Sequence, residues 1–300
     1  MDYCIQTDGL TKTYGDAKVV SSLDLAVPCG SVYGFLGPNG AGKTTTMKML
    51  LGLVHPTAGT ATVLGTLVTP RNRVQVNAHV GSLIESPSCY PHLTARENLE
   101  VVRSLRGLPK TSIDEALATV RLDHTGSKPV RAFSLGMRQR LGLAAALMGN
   151  PELLLLDEPT NGLDPAGIQE IRELIRSLPA KRGCTVLVSS HLLSEIDQMS
   201  DHVGIISHGQ MAWQGPLSAL HAQARHWLEL HTTDDDRVAQ LLRASRTDEG
   251  WVKVRAAEDD SVARMTLGLA REGIGVVRLE ERHEDLEDLF LALTGTEASL

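Results

Sequence analysis

Hydrophobic and polar positions along this chain change period several times, and each change predicts an element. Leu23, Leu25 and Val27 stand at period two before the Pro28-Cys29-Gly30 turn, and Thr60-Ala61-Thr62-Val63-Leu64 is a second short run before Gly65. Both predict strands of an antiparallel flank. Between them, Ser31-Val32-Tyr33-Gly34-Phe35-Leu36 is apolar without alternation, as a buried strand is, and Thr45, Met47, Met49, Leu50 and Leu51 continue as a helix ending near Gly52. From about Glu85 to Asn150 the pattern turns helical. Thr94-Ala95-Arg96-Glu97 matches a capping box ahead of Leu99, Val102 and Leu105, and Ser112-Ile113-Asp114-Glu115 matches another ahead of Ala116, Leu117 and Val120. Leu153-Leu154-Leu155-Leu156 is then a continuous apolar run that stops abruptly at Asp157 and Glu158. Helical spacing returns in Ile168, Ile171, Leu174, Ile175 and Leu178, followed by strands at 185–189 and 203–206 and an edge hairpin partner at 211–215.

Beyond about Ser218 the pattern resets. Strands at 227–230, 251–254 and 274–279 alternate with helices at 238–242, 262–270 and 286–293. This predicts a small separate α+β domain over 219–300, with no catalytic constellation in it, behind a larger α/β domain over 1–218 that carries a helical subdomain at about 86–150.

Composition narrows the class. With 42% hydrophobic residues the chain can bury a sizeable core. No window approaches the ~20 continuous apolar residues that span a bilayer. The start, Met1-Asp2-Tyr3-Cys4, lacks the basic and apolar segments of a secretory signal, which leads us to expect a cytoplasmic protein. A formal net charge of -7 argues against wholesale attraction to nucleic acid or anionic lipid. Cys4, Cys29, Cys89 and Cys184 are scattered with no C-x-x-C pair, so we expect buried, reduced thiols and neither a zinc site nor a disulfide framework.

The candidate chemistry begins at Gly37-Pro38-Asn39-Gly40-Ala41-Gly42-Lys43-Thr44, which fits the phosphate-loop pattern G-x-x-x-x-G-K-[ST] without a mismatch and stands between a predicted strand and a predicted helix. Glycines let backbone N–H groups turn inward, and the helix adds its unpaired donors and positive dipole end. Lys43 reaches the terminal phosphates, the Thr44 hydroxyl coordinates Mg²⁺, and Thr45 adds a further hydroxyl or backbone donor. Asp157 and Glu158 close a strand of the kind buried in a parallel sheet, so they land beside the phosphates. Asp157 then holds Mg²⁺ and Glu158 polarises the water that attacks the γ-phosphate. In the stretch Leu10-Thr11-Lys12-Thr13-Tyr14-Gly15, just before the first predicted strands, Tyr14 is an isolated aromatic that is either base-stacking or a surface tyrosine in a turn.

With Phe133-Ser134-Leu135-Gly136-Met137-Arg138-Gln139-Arg140 the chain resembles the ABC transporter ATPases, whose signature is usually written L-S-G-G-Q. The set stands in family order: Tyr14 as the aromatic loop, Gly37 to Thr44 as the phosphate loop, Ser134 to Gln139 as the signature, Leu153 to Glu158 as the Walker B strand, Asn161-Gly162-Leu163-Asp164 as the D-loop and Ser190-His191 as the switch histidine. The resemblance implies a P-loop NTPase of RecA-like core with an antiparallel β flank, binding ATP and Mg²⁺ and dimerising head to tail around two ATP. Ser134, Gly136 and Gln139 then act on the opposite subunit's nucleotide, His191 contacts the γ-phosphate, and Asp164 links the two sites. Ser134 and Gly136 also precede a predicted helix, a second N-terminus suited to an anion.

Two departures matter. The first signature glycine is replaced by Leu135, and Val80-Gly81-Ser82-Leu83-Ile84-Glu85 places Glu85 where most of the family has glutamine. The resemblance makes Glu85 a catalytic and metal-facing carboxylate. The same stretch resembles the branch that protects producers against bacitracin and lantibiotics, and the C-terminal stretch 285–295 resembles the tail of these and of anthracycline-resistance ATPases. The implied protein is the ATPase subunit of an ABC-2 type exporter. It would be peripheral on the cytoplasmic face of the membrane, docked on a separate permease, with no nucleic acid as partner. The alternative is a soluble ABC ATPase acting on ribosomes, DNA or an assembly factor. Those carry two cores, a long coiled-coil insertion or metal-binding cysteines, none of which stands in this sequence.

Overall fold

The chain begins with a twelve-residue strand where the sequence pattern predicts none. β1 (Tyr3–Tyr14) turns into β2 (Ala17–Leu23) and β3 (Ala26–Pro28), then β4 (Val32–Leu36), α1 (Lys43–Leu50), β5 (Ala58–Val63), β6 (Thr66–Leu67), α2 (Arg73–Asn77) and β7 (Val80–Leu83) follow. A helical stretch comes next: α3 (Ala95–Arg106), α4 (Thr111–Thr119), two short 3₁₀ turns and α5 (Leu135–Leu147). Strand and helix then alternate through β8 (Leu153–Asp157), α6 (Pro165–Arg182), β9 (Thr185–Ser190), α7 (Leu193–Met199), β10 (His202–Ser207), β11 (Gln210–Pro216) and α8 (Leu217–His221). The remainder is β12 (His226–Thr232), α9 (Asp235–Leu242), β13 (Ser245–Arg246), β14 (Val252–Arg255), α10 (Asp259–Arg271), β15 (Val276–His283) and α11 (Leu286–Thr294). This computed structural model describes residues 2–223, 226–255, 259–283 and 286–294, so Asp285 and Gly295 of the C-terminal stretch lie outside the described residues.

The chain divides into two units, one built on Met1–Ser218, to which it returns at Leu293, and one of Ala219–Ala292. In the first, β1 pairs antiparallel with β2, β3 and β5 as a flank, while the order β11-β10-β4-β9-β8-β7 makes a second sheet, parallel from β10 to β7 and closed by the antiparallel edge strand β11. Helix α1 packs on β2, β5 and β8, between the two sheets, with Met47, Met49 and Leu50 buried in one continuous core with both. On the other face of the parallel sheet lie α5 against β7, α6 against β4 and β9, and α7 against β4 and β9. Leu153 to Leu156 are wholly buried, which explains the unbroken apolar run: a central strand covered on both faces has no side to turn toward water.

In the second unit the order β13-β14-β12-β15, crossed by α9 and α10, is a split βαβ arrangement, β-α-β-β-α-β in sequence. Leu228, Leu230, Val238, Val252, Leu269 and Ile274 form its own core.

Several expectations need correction. Thr94 is a true N-cap with a complete capping box, but α4 starts at Thr111 and Ser112 lies inside it, its hydroxyl donating back to the Pro109 carbonyl at 2.6 Å instead of capping. Gly136 lies within the first turn of α5, with Ser134 alone preceding it as N-cap. The cysteines are all reduced, yet Cys29 is exposed and Cys89 only partly buried, and Cys4 and Cys29 are in contact at 2.8 Å.

Candidate active site

Three adjacent strands of the parallel sheet end level with one another, and their carboxyl ends carry the site. Leu36 of β4 pairs with Ser190 of β9, and Asp157 of β8 pairs with Ser189 of β9. The loop 37–42 therefore leaves the sheet beside Glu158 and His191, in the crevice where α/β sheets gather ligands.

The loop is shaped by close approach. A Cβ on Gly37 would lie 2.4 Å from the Ile206 carbonyl oxygen, and Gly42 sits at φ 107 with the Val19 carbonyl 2.8 Å from where its Cβ would be. Between them Pro38, Asn39, Gly40 and Ala41 make the turn, closed by the Ala41 N–H donating to the Pro38 carbonyl at 3.1 Å. No side chain caps α1, so its first amides remain a set of donors for an anion. Lys43 is almost fully buried and lies across the loop, donating to the Gly37 carbonyl at 2.6 Å and the Pro38 carbonyl at 3.2 Å. Its ammonium is also 3.4 Å from Glu158 Oε1. Thr45 follows in α1.

The carboxylates are held from behind. Thr44 Oγ1 donates to Asp157 Oδ2 at 2.7 Å, and Ser189 Oγ donates to Asp157 Oδ1 at 2.6 Å. The same Ser189 oxygen accepts the Glu158 N–H at 3.0 Å, so one buried hydroxyl fixes both acidic residues. Asp157 is 2% exposed. A hydroxyl and a carboxylate oxygen already in contact are a hard-oxygen set that fits Mg²⁺, which keeps several waters and takes its other ligands from phosphates. Glu158 has φ 49, a left-handed conformation that redirects its side chain out of the strand line, and its Oε2 meets His191 Nδ1 at 2.7 Å.

Other expected residues lie elsewhere. Tyr14 is exposed at the end of β1, with the Lys12 ammonium 4.8 Å over its ring. Ser134 caps α5 by accepting the Met137 N–H at 3.2 Å, and Asp164 caps α6 by accepting the Gly167 N–H at 3.3 Å. Leu135, the departure from the usual glycine, fills the space over Gly162, where an added Cβ would lie 2.2 Å from Leu135 Cδ2. Gln139 is buried in α5. Glu85 is not brought to Thr44 or Asp157: in the left-handed region at φ 61, its Oε1 accepts from Lys48 Nζ of α1 at 2.5 Å, and its side chain is 62% exposed.

Two participants are missed by sequence reasoning. Ser189 joins Asp157 to Glu158 as above. Glu195 of α7 is 5% exposed and accepts from Thr160 Oγ1 at 2.7 Å and from Ser190 Oγ at 3.0 Å, tying the loop after β8 to the end of β9. The signal for Ser189 is its place directly after the apolar run Val186-Leu187-Val188, at the carboxyl end of the strand. Nothing in the pattern points to Glu195, whose partner Thr160 is 35 residues away.

Comparison with known proteins gives the same assignment. The family model "ABC transporter" matches residues 20–161. The bacitracin transport ATP-binding protein BcrA of Enterococcus faecalis is 42% identical over 98% of this chain and 97% of its own length. The daunorubicin resistance ATP-binding protein DrrA3 of Streptomyces coeruleorubidus is 35% identical over 98% of this chain and 96% of its own. Among solved structures, an ATP-binding subunit of an ABC transporter superposes with a TM-score of 0.67 at 28% identity, covering 73% of this chain and 92% of that one. A dimeric ATP-binding cassette bound to ADP and Pi shares the fold, with a TM-score of 0.64 at 23% identity over 71% of this chain and 98% of that one. Through the phosphate loop on β4, the carboxylates on β8 and relatives aligned over nearly its whole length, the chain belongs to the ABC transporter ATP-binding family.

Proposed function

We propose that this chain energises export of an antibiotic or antimicrobial peptide through a separate membrane permease, as a homodimer that closes around two ATP. The observation that carries the ATPase reading is the convergence of Lys43, the Thr44–Asp157 pair and the Glu158–His191 pair on three adjacent strand ends. The amides of the phosphate loop and α1 bind the β- and γ-phosphates, and Lys43 leaves the Gly37 and Pro38 carbonyls to pair with the γ-phosphate oxygens. Glu158 Oε1 is released from Lys43 in that exchange. It then takes the proton of the attacking water, while His191, on Oε2, holds the carboxylate in place and faces the transferred phosphoryl group. Thr44 and Asp157 would hold Mg²⁺, which when bound would supply charge neutralisation on the phosphates. Positioning residues come from behind: Ser189 orients both acids, and Glu195 holds the two loops together.

In this reading Ser134 and Gly136 serve the partner subunit's nucleotide, Asp164 joins the two sites, and Tyr14 stacks on the adenine, while buried Gln139 stays within α5 and does not reach the partner. The dimer is supported by the solved dimeric cassettes that share this fold. The permease is supported by the transport names of the relatives and by an apolar cleft of about 650 Å³, lined by Leu53, Val74, Val102 and Leu105 among others, with Val74 and Leu105 mostly exposed. Among the described residues no helix is long and apolar enough to cross a membrane. The substrate class rests on the names of the relatives, which concern bacitracin, a lantibiotic and daunorubicin. The unit of Ala219–Ala292, which has its own core, takes an accessory role.

Glu158→Gln tests the mechanism. The amide keeps Lys43, Thr44 and Asp157 in place but cannot take the proton, so the variant should hold ATP, elute as a dimer in ATP and Mg²⁺, and turn over at least about a hundredfold more slowly. Undiminished turnover with no dimer would overturn both roles.

A further inference from the structure

Cys4 is the extra residue of a β-bulge: between the pairs Tyr3 with Pro28 and Ile5 with Val27, β1 advances two residues while β3 advances one. A bulge re-aims a side chain, and here Cys4 and Ile5 are buried in succession. On the facing side the chain leaves β3 through Cys29, whose N–H donates to the Asp2 carbonyl at 2.9 Å, and through Gly30 at φ 68. These two turns of the backbone bring sulfurs that are 25 residues apart in sequence to 2.8 Å. Among the described residues this is the one sulfur–sulfur contact. Thr185 Oγ1 stands 3.1 Å from Cys4 Sγ and accepts the Gly30 N–H at 2.9 Å, so a single hydroxyl holds both sides of the pair. A disulfide bond is about 2.05 Å long, so bonding asks for a movement of less than about 1 Å.

We propose that Cys4 and Cys29 are an oxidisable dithiol, a modification site that closes to an intramolecular disulfide by exchange with a low-molecular-weight disulfide. Exposed Cys29 is the entry and buried Cys4 the resolving thiol. Cys29, deprotonated, attacks one sulfur of the reagent; the reagent's S–S bond breaks and one thiolate leaves with the electron pair and is protonated. Cys4 gives up its proton and attacks Cys29 Sγ, the mixed disulfide breaks, and the second reagent thiol leaves. Two protein thiols are oxidised, one reagent disulfide is reduced to two thiols, and two protons pass from the cysteines to the leaving groups. Desolvation and the neighbouring Cys4 push the Cys29 thiol up to about 11, so thiolate is scarce at neutral pH and the exchange is slow. Closure would tie β1 to the turn that launches β4, at the end of β4 remote from the phosphate loop, and constrain the unfolded chain.

The full-length reduced chain is equilibrated with glutathione disulfide and glutathione mixtures without oxygen, quenched in acid, alkylated and mapped by mass spectrometry. The expected product is lighter by about 2 Da, the two lost hydrogens, with the Cys4 and Cys29 peptides linked and released by dithiothreitol. Its thermal midpoint should lie above that of the reduced chain. Cys29→Ser should give no linked peptide, and Cys89→Ser should close as the parent does. A stable glutathione adduct on Cys29 without linkage, links through Cys89 or Cys184, or an unmodified chain at the most oxidising ratio would each overturn the proposal.

Discussion

Both rims of the parallel sheet carry paired polar groups, and they differ in what those groups have left to give. At the carboxyl rim, Ser189 and Thr44 donate to Asp157, while Glu158 and His191 pair beside a cation, Lys43, and an uncapped helix N-terminus. At the amino rim, Thr185, Gly30 and Cys4 satisfy one another with neutral groups only. Buried polar groups are therefore not a site in themselves. What separates the site from this trio is charge and unspent backbone donors directed at one place, which bind phosphate at one end, against a closed set of three neutral groups that fixes a turn at the other.

The largest effect should come from removing the cation of the carboxyl rim. Lys43→Ala deletes the ammonium that reaches the γ-phosphate and leaves the Glu158 carboxylate without its counter-charge, so steady-state ATP hydrolysis should fall by at least about a hundredfold, with weakened binding of a fluorescent ATP analogue. Retention of both would mean that the rim is polar but not catalytic, and the contrast between the two ends would collapse.

Next is the hydroxyl that joins the acids. Ser189 is wholly buried, and Ser189→Ala leaves Asp157 Oδ1 and the Glu158 N–H without their partner. An unsatisfied buried polar group costs about 1–3 kcal/mol. Because Ser189 positions both acids from behind, turnover should drop roughly tenfold, with a lower thermal midpoint. Loss of stability with unchanged turnover per folded molecule would make Ser189 equivalent to Thr185 at the other rim.

Most of the carboxyl rim is legible in the sequence because each part is local. The run Leu153 to Leu156 followed by two acids announces a buried strand with charge at its end, and a phosphate loop needs only eight consecutive residues. What is not legible depends on pairing. β1 carries register shifts near Tyr3, Asp8 and Leu10, so its buried positions break the period of two and the strand is read only as a stretch before the first strands. The same irregularity hides the approach of Cys4 to Cys29. Ser112 fits the capping pattern, yet α4 begins before it and the hydroxyl bonds back to Pro109. Glu195 and Ser189 act through partners that only the sheet order brings near.

A smaller effect belongs to Glu85, at the edge of the carboxyl rim. Its ion pair with Lys48 is solvent-exposed, and such pairs contribute about 0–1 kcal/mol. Glu85→Gln should therefore alter turnover by no more than about fivefold at saturating Mg²⁺. If the carboxylate leaves Lys48 for the metal when ATP binds, Glu85→Gln should raise the Mg²⁺ concentration giving half-maximal rate, and Lys48→Met should lower it by freeing the carboxylate. Profiles of both variants that superimpose on the parent's would confine Glu85 to its surface pair and remove it from the metal site.

The smallest effect on turnover, and the sharpest test of the contrast, lies at the opposite rim. Thr185 is 1% exposed and starts β9, the strand whose other end carries Ser189 and His191. Thr185→Val keeps the shape and β propensity of the side chain but removes the oxygen that accepts from the Gly30 N–H and meets Cys4 Sγ. Gly30 then has a partly buried donor without its partner, and the turn before β4 loosens, at a cost of about 1–3 kcal/mol in unfolding free energy, measurable as a shifted denaturant midpoint with an unchanged slope. Since no charge and no phosphate-facing donor is touched, ATP turnover per folded molecule should match the parent's. A drop in turnover comparable to that of Ser189→Ala would mean that β9 transmits displacement from one rim to the other, and the two ends could no longer be treated as a site and a clasp.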